Sequence, residues 1–402
     1  MEIPPGVDLG PGIEKRAYCI LLKSSLYGLK QASSNWYECL KKDLVWRGFK
    51  ESIADPCVFI KEGMIVLVYV DDCILISKEK SMLEQFMHSL ANDIENFEFT
   101  DEGSMDKYLG VEIEKLNGNE FILRQPFLIQ RILDLLNVTA ESYNKRDVPV
   151  IGPLLGRDES GPDRKHDWHY RSAIGMLGYL QNSTRPDISM AVHQCARFNA
   201  CPKLCHEKAV KYIARYLLST HDKGIHYKPD PTRGLECFVD ADFAGGWTLG
   251  EHTNPECVLL RTGFVIMYAG CPLTWSSKLQ TEIALSTTES EYIALSQAMR
   301  ETIPFMNLMM EVGKVFPLHN PVPKFHYKVF EDNRSCIKVA ESPKYTPRTK
   351  HIAIKYHHFR SYVADGTIKI YPIDSKDQLA DIFTKPLDKA VFTKLRKSLM
   401  GW

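Results

Sequence analysis

At 402 residues the chain is too long for one hydrophobic core and predicts two or three domains. Hydrophobic residues at 44% and charged residues at 25% exclude a disordered or fibrous chain, and 50 basic against 50 acidic residues exclude a whole-chain field that would announce nucleic acid, so any phosphate-binding surface has to be local. The longest apolar stretch, residues 64–70, falls far short of the roughly 20 residues of a membrane span, MEIPPGVDLG predicts no secretory leader, and the 11 cysteines read as reduced thiols of an intracellular protein.

Apolar spacing between residues 25 and 49 predicts a helix. From Met64 to Ser77 β-branched residues flank the tetrapeptide YVDD, which predicts two strands and a tight turn with carboxylates at its tip. Residues 108–123 (YLGVEIEKLNGNEFIL) predict a second hairpin, turned at 117–119. Helices dominate from Phe127 to about Leu218, apart from PVIGPLLGRDESGP at 149–162, where glycine, proline and charge predict a linker. A second break, KPDPTRG at 228–234, reads as a domain boundary. Beyond it, short strands (LECFVDA, TGFVIMYAG, PLTWSS) lead into a long helix. There Tyr292, Leu295, Met299, Ile303, Met306 and Met310 paint one apolar stripe suited to packing on a sheet. A strand FHYKVFED, a helix, a strand TIKIYPI and a final helix follow. The order is mixed, and the fold class expected is α/β and α+β multidomain, without internal repeats.

Adjacent acids at Asp71 and Asp72 offer the oxygen ligands that hard Mg²⁺ ions take, although a polar hairpin turn accounts for the same pair equally well. Thr288 and Glu291, three apart at a helix start, read singly as a capping box, Asp381 as a helix-dipole partner and Asp332 as the start of an Asx-turn. The basic runs Lys344, Arg348, Lys350, Lys355, Arg360 and Lys385, Lys389, Lys394, Arg396, Lys397 read as a solvated face, with phosphate contact the competing reading. Cys195, Cys201, Cys205 and His206 match no zinc spacing and read as structural thiols beside a histidine.

Taken in order, the motifs say more. SLYGLKQA at 25–32, Trp36 and then YVDD resemble the reverse transcriptases of copia-type retrotransposons. The series continues with YLGVEI at 108–113, YRSAIGMLGYL at 170–180, TRPDISMAV at 184–192, DADFAG at 240–245, WSSKLQTEIALSTTESEYIAL at 275–295, EDNRSC at 331–336, RTKHI at 348–352 and QLADIFTKPL at 378–387. It covers nearly the whole chain. The resemblance implies a partial reverse-transcriptase palm over 1–125, a helical thumb or connection over 126–228, and a ribonuclease H-like mixed sheet with flanking helices over 234–400.

In such polymerases two Mg²⁺ ions bridge the incoming triphosphate and the primer 3′ hydroxyl. The resemblance assigns Asp71 and Asp72 to part of that site, Gly28 and Gln31 to the nucleotide pocket, Leu109 with Gly110 to the primer end, and Tyr69 and Lys350 to nucleotide or nucleic-acid contacts. For the ribonuclease H part it assigns four carboxylates, Asp240, Glu291, Asp332 and Asp381, to a two-Mg²⁺ site in which Mn²⁺ can substitute. The partners implied are an RNA–DNA hybrid, template RNA and DNA, and other Pol or Gag products, with no membrane. The location implied is the cytoplasm, in virus-like particles, or the nucleus.

Some departures bear on the reading. The family's third polymerase aspartate lies upstream of a segment resembling MEIPPG and is absent here, as are the fingers, so polymerisation by this chain alone is not expected. Ala353 stands where many relatives carry an acid, and no counterpart of a product-release histidine appears between Tyr371 and Asp381. His351, His357 and His358 read as a polar helix face. The leading expectation is therefore a metal-dependent ribonuclease H joined to a truncated palm. The competing ones are a catalytically silent nucleic-acid-binding remnant, and a first half too incomplete to fold.

Overall fold

A computed structural model describes residues 2–7, 9–10, 14–23, 25–92, 97–141, 144–150, 152–242, 259–316, 327–342, 352 and 354–402. The chain divides into two compact units, Met1–Asp101 with Asn307–Pro317, and Glu102–Met306 with Leu318–Trp402. Among the described residues, no helix is long and apolar enough to cross a membrane.

In the first unit, helix α1 (Ala32–Trp46) precedes four strands, β1 (Lys50–Glu51), β2 (Val58–Lys61), β3 (Met64–Tyr69) and β4 (Asp72–Ser77), paired antiparallel in that order, and helix α2 (Lys80–Asn92). The β-branched run that predicts the hairpin supplies Val66 and Val68 to a core shared with Leu40, Leu44, Phe59 and Phe86. Buried Asp43 is matched by Arg47 one turn later, at 2.6 and 3.1 Å. Only two residues, Val70 and Asp71, join the paired Tyr69 and Asp72, and Val70 takes a φ of 56°. That left-handed value is strained for a β-branched residue. The Trp36 indole N–H holds it in place by donating to the Val70 carbonyl at 2.8 Å.

The second unit opens with strands β5 (Lys107–Tyr108), β6 (Val111–Lys115) and β7 (Phe121–Arg124), then helices α3 (Pro126–Leu136), α4 (Tyr170–Ser183), α5 (Ser189–Ala196) and α6 (Leu204–Ser219). Strand β8 (Ile225–Tyr227) returns to pair with β7, completing a four-stranded antiparallel sheet. Then come β9 (Leu235–Asp242), β10 (Arg261–Tyr268), β11 (Cys271–Leu279), helix α7 (Thr287–Val315), β12 (Tyr327–Glu331), α8 (Arg334–Glu341), α9 (Arg360–Ala364), β13 (Ile368–Pro372), α10 (Asp381–Thr384) and α11 (Lys389–Met400).

The last five strands form one sheet in the order β11-β10-β9-β12-β13. β9, β10 and β11 are antiparallel neighbours, while β12 runs parallel to both β9 and β13. Side-chain alternation sorts β9 onto two faces. Leu235, Cys237, Val239 and Ala241 join Tyr292, Leu295, Ala298, Met299 and Met306 of α7 in one core. Phe238, from the other face, joins α3–α6, α10 and α11 in a second. The apolar stripe of α7 therefore packs on the sheet as its spacing implies, except that Met310 is 41% exposed and falls in the other unit. The expected linker at 149–162 carries no helix or strand among its described residues.

Candidate metal centre

Two residues before β9 ends its pairing with β10, Asp240 lies opposite Gly263. A Cβ at Gly263 would sit 2.6 Å from Thr384 Cγ2 and 2.8 Å from Phe383 Cβ, so the bare backbone there lets α10 close onto the sheet. This close approach brings Thr384 Oγ1 into hydrogen-bonding contact with Asp240 Oδ2. Glu291 comes from the first turns of α7, and Asp332 directly follows β12. One carboxylate oxygen each of Asp240, Glu291 and Asp332 lies within 4.8 Å of the others, and among the described residues this is the one such group of three. The Asp332 carboxylate accepts from Ser375 Oγ at 2.7 Å.

The ordinary roles open to these acids are taken by their neighbours. Ser286 Oγ accepts from the Glu289 amide at 3.2 Å and Glu289 accepts from the Leu285 amide at 2.7 Å, so the cap of α7 is Ser286 with Glu289 rather than Thr288 with Glu291. Asn333, not Asp332, caps α8, its Oδ1 accepting from the amides of Ser335 and Cys336 at 2.9 and 3.0 Å. Asp381 stands at the start of α10, but its carboxylate faces Lys385 Nζ at 2.8 Å, and it lies outside the group of three.

Electrostatically the centre is strained when free of metal ions. Burial, then the charges of Glu331, Asp240 and Asp332, push Glu291 up to about 11. Burial, then Asp240, pushes Asp381 up to about 7 against the opposing pull of Lys385. Asp240 is raised by burial and by Asp332, with Lys385 and Thr384 opposing. Buried Glu291 Oε2 and Glu331 Oε2 have no hydrogen-bond partner. A convergent, oxygen-only donor set, buried at Asp240 and Glu291, half-buried at Asp332 and with Glu291 Oε2 orphaned, fits a hard divalent cation.

The other acidic pair is set differently. Asp71 and Asp72 are exposed at the β3–β4 turn, where the Tyr27 hydroxyl donates to Asp71 Oδ2 at 2.5 Å. Tyr69 is 55% exposed beside them. Gly28 has a φ of 88° with open space around it, and Gln31 is the exposed residue before α1. Among the described residues no third carboxylate joins Asp71 and Asp72 within ligand range.

A family model described as reverse transcriptase (RNA-dependent DNA polymerase) matches residues 1–152. The whole chain is similar to the retrovirus-related Pol polyprotein from transposon TNT 1-94 of Nicotiana tabacum, at 33% identity over 100% of this chain and 29% of that protein. It is similar also to the retrovirus-related Pol polyprotein from transposon RE1 of Arabidopsis thaliana, at 30% identity over 98% of this chain and 25% of that protein. The chain belongs to the copia-type Pol polyprotein family. It spans less than a third of the length of these relatives. A solved prototype foamy virus protease-reverse transcriptase aligns at 11% identity over 90% of this chain and 39% of that one, with a TM-score of 0.24 too low to carry a fold argument.

Within this Pol segment the remaining expected residues are placed as follows. Leu109 and Gly110, both with positive φ (47° and 73°), form the tight turn between β5 and β6 in the second unit. The turn is held from two sides: the Tyr179 hydroxyl of α4 donates to the Leu109 carbonyl, and Gln125 Nε2 donates to the Gly110 carbonyl at 3.3 Å. Lys350, like His351, lies outside the described residues. His357 is not on a polar face. It is buried, with Nδ1 2.7 Å from the Tyr292 hydroxyl. His206 spends both ring nitrogens inside the protein, on the Lys203 amide and the Gly156 carbonyl at 2.8 Å each. Much of the described basic run is locally paired, Lys355 with Glu282, Lys389 with Asp147 at 2.7 Å and Lys394 with Asp377 at 2.6 Å.

Two residues of the centre escaped the sequence reading. Glu331 is fully buried beside Asp332, and its position was legible: Tyr327, Val329 and Glu331 alternate onto one buried face of β12, so a carboxylate stands where the pattern calls for an apolar residue. Lys385 is four residues after Asp381 on one helical turn, an i,i+4 pairing that spacing alone allows.

Proposed function

We propose that the Asp240–Glu291–Asp332 centre makes this Pol segment a ribonuclease H, which hydrolyses the RNA strand of RNA–DNA hybrids with Mg²⁺, Mn²⁺ serving as substitute. The single observation that carries the reading is the convergence of three carboxylates from separate elements within 4.8 Å, with the buried Glu291 Oε2 left unpaired. Asp240, Glu291 and Asp332 would hold the cation, with Asp381 as the fourth acid. A bound divalent cation supplies Lewis acidity toward the scissile phosphate and lowers the pKa of water. The chain's own part is to keep these carboxylates dehydrated and oriented. Thr384 fixes Asp240, Ser375 fixes Asp332, and the two cores on either side of the sheet exclude water.

Residues 1–152 are reverse-transcriptase sequence. In our reading this part binds template RNA and DNA, with Gly28, Gln31 and Tyr69 near the nucleotide, Leu109 and Gly110 near the primer end, and Asp71 with Asp72 as two of the acids polymerisation needs. The nuclease is the chemistry we assign to the segment itself, because among the described residues only there do three acids converge. Hybrid recognition through phosphates and 2′-hydroxyls makes affinity fall steeply with salt.

Cleavage of a labelled RNA–DNA hybrid tests the reading. The expected result is cutting of the RNA strand that needs Mg²⁺ and disappears in Asp240→Asn, while single-stranded DNA stays intact. Hybrid binding without cleavage at any divalent-ion concentration would instead establish a catalytically silent, nucleic-acid-binding protein.

A further inference from the structure

The acidic centre already contains one cation. Lys385 Nζ lies 2.8 Å from Asp381 Oδ1 and 3.8 Å from Asp240 Oδ2, and its side chain keeps 37% of its surface in solvent. It directly follows Thr384, whose hydroxyl donates to the same Asp240 Oδ2. The centre thus has two unlike sides. On one, Asp240, Glu291 and Asp332 present three carboxylate oxygens within 4.8 Å, with Glu291 Oε2 unpartnered. On the other, the neighbouring carboxylates of Asp240 and Asp381 share the Lys385 ammonium.

We propose that Lys385 is a resident counter-cation: one divalent ion binds at Asp240–Glu291–Asp332 in the free protein, while the Lys385 ammonium holds the Asp240–Asp381 position against a second. This rests on the reading of the centre as a metal site. A lysine suits the task because its ammonium is a compact charge on a flexible four-carbon stem, able to leave for solvent without disturbing the backbone. The partial exposure of the side chain gives it a way out. The second ion then enters only when the ammonium swings away, most readily toward the phosphates of a bound hybrid, which would couple completion of the site to the presence of substrate. Lys385 is in this sense a positioning residue for the cation inventory.

The test counts Mn²⁺ bound by the free full chain, by isothermal titration and by the loss of free-ion paramagnetic signal. The unaltered chain is expected to bind one ion tightly and a second weakly. Lys385→Gln is expected to tighten the second ion about tenfold or more, the scale on which removing a unit charge at hydrogen-bonding range acts even in a high effective dielectric. Lys385→Arg, which keeps the charge, is expected to leave the second ion weak. A companion measurement on the unaltered chain keeps the proposal open to refutation should Lys385→Gln misfold. Acylation of Lys385 by an amine reagent, read by peptide mass, should rise as Mn²⁺ is raised into the range of the second event. Two equally tight ions in the unaltered chain, an unchanged second affinity in Lys385→Gln, or acylation indifferent to Mn²⁺ would each overturn the role of Lys385 while leaving the nuclease reading standing. No ion bound at all would overturn both.

Discussion

Neutralising one acid of the centre should raise stability and abolish activity together. Asp240, 2% exposed, is raised by burial and by Asp332, and Asp381 is pushed from 3.8 up to about 7. Where a folded carboxyl holds its proton more tightly than the unfolded chain does, its favourable contribution is complete below the unfolded value and is lost as pH rises through the folded one. For Asp381 the window therefore runs from about pH 4 to about pH 7, and the metal-free unit loses stability across it. Three units at 1.36 kcal/mol each give about 4 kcal/mol, which solvent screening reduces to about 2 kcal/mol. Asp240→Asn removes a charge that raises both Asp381 and Glu291, so the variant should show a shallower fall and be more stable by about 1 kcal/mol at pH 8 in chelator. Hybrid cleavage should drop about 10³-fold, the scale on which losing a group that stabilises developing charge acts. Urea unfolding at pH 5.5 and pH 8, with chelator and with Mg²⁺, measures the first effect. A midpoint in chelator that is flat or rises over that interval would refute the electrostatic account, as would an Asn variant less stable than the parent at pH 8.

Other consequences are as direct. Gly263→Ala puts a methyl group 2.6 Å from Thr384 Cγ2 and 2.8 Å from Phe383 Cβ; displacing α10 should destabilise by about 1–3 kcal/mol and weaken Mn²⁺ binding as Asp240 loses Thr384, both read by urea melts and ion titration. Asp187→Ala strands the buried Arg185, which now bonds Asp187 at 2.9 and 2.8 Å, and deprives the Tyr216 hydroxyl of its acceptor. A loss of about 3–5 kcal/mol is expected, and pairing Asp187→Leu with Arg185→Met should recover most of it in a double-mutant cycle. Val70→Gly relieves a left-handed φ of 56° at a residue 61% exposed, and should stabilise the first unit by about 1 kcal/mol in denaturant titration.

The strands of the five-stranded sheet were readable as short apolar runs, and its long helix as an apolar stripe at three- and four-residue steps. The carboxylates were readable only as a series. Glu291, Asp332 and Asp381 each admitted an ordinary local role, and the structure hands the roles of the first two to Ser286, Glu289 and Asn333. Short β5 and β8 were not legible, since three residues or fewer cannot display a period, and β8 owes its place to pairing with β7 across about 100 residues of chain. Nor was the left-handed Leu109, because leucine gives no sign of positive φ. Its conformation is imposed by Tyr179 and Gln125, from elements a sequence reading does not bring together.

The contrast between the two acidic pairs follows from where each spends its hydration. Asp71 and Asp72 sit in water at a hairpin tip, so a divalent ion arriving there must displace solvent from both partners for two carboxylates and little relief of repulsion. Asp240, Glu291 and Glu331 have lost their water to folding, at 2%, 4% and 0% exposure, and repel one another. The desolvation and repulsion are already present in the folded, ion-free protein, so a cation entering there recovers free energy that the fold has stored. The centre should consequently fill first as Mg²⁺ is raised, and its filling should stabilise the second unit at concentrations that leave the β3–β4 turn unchanged.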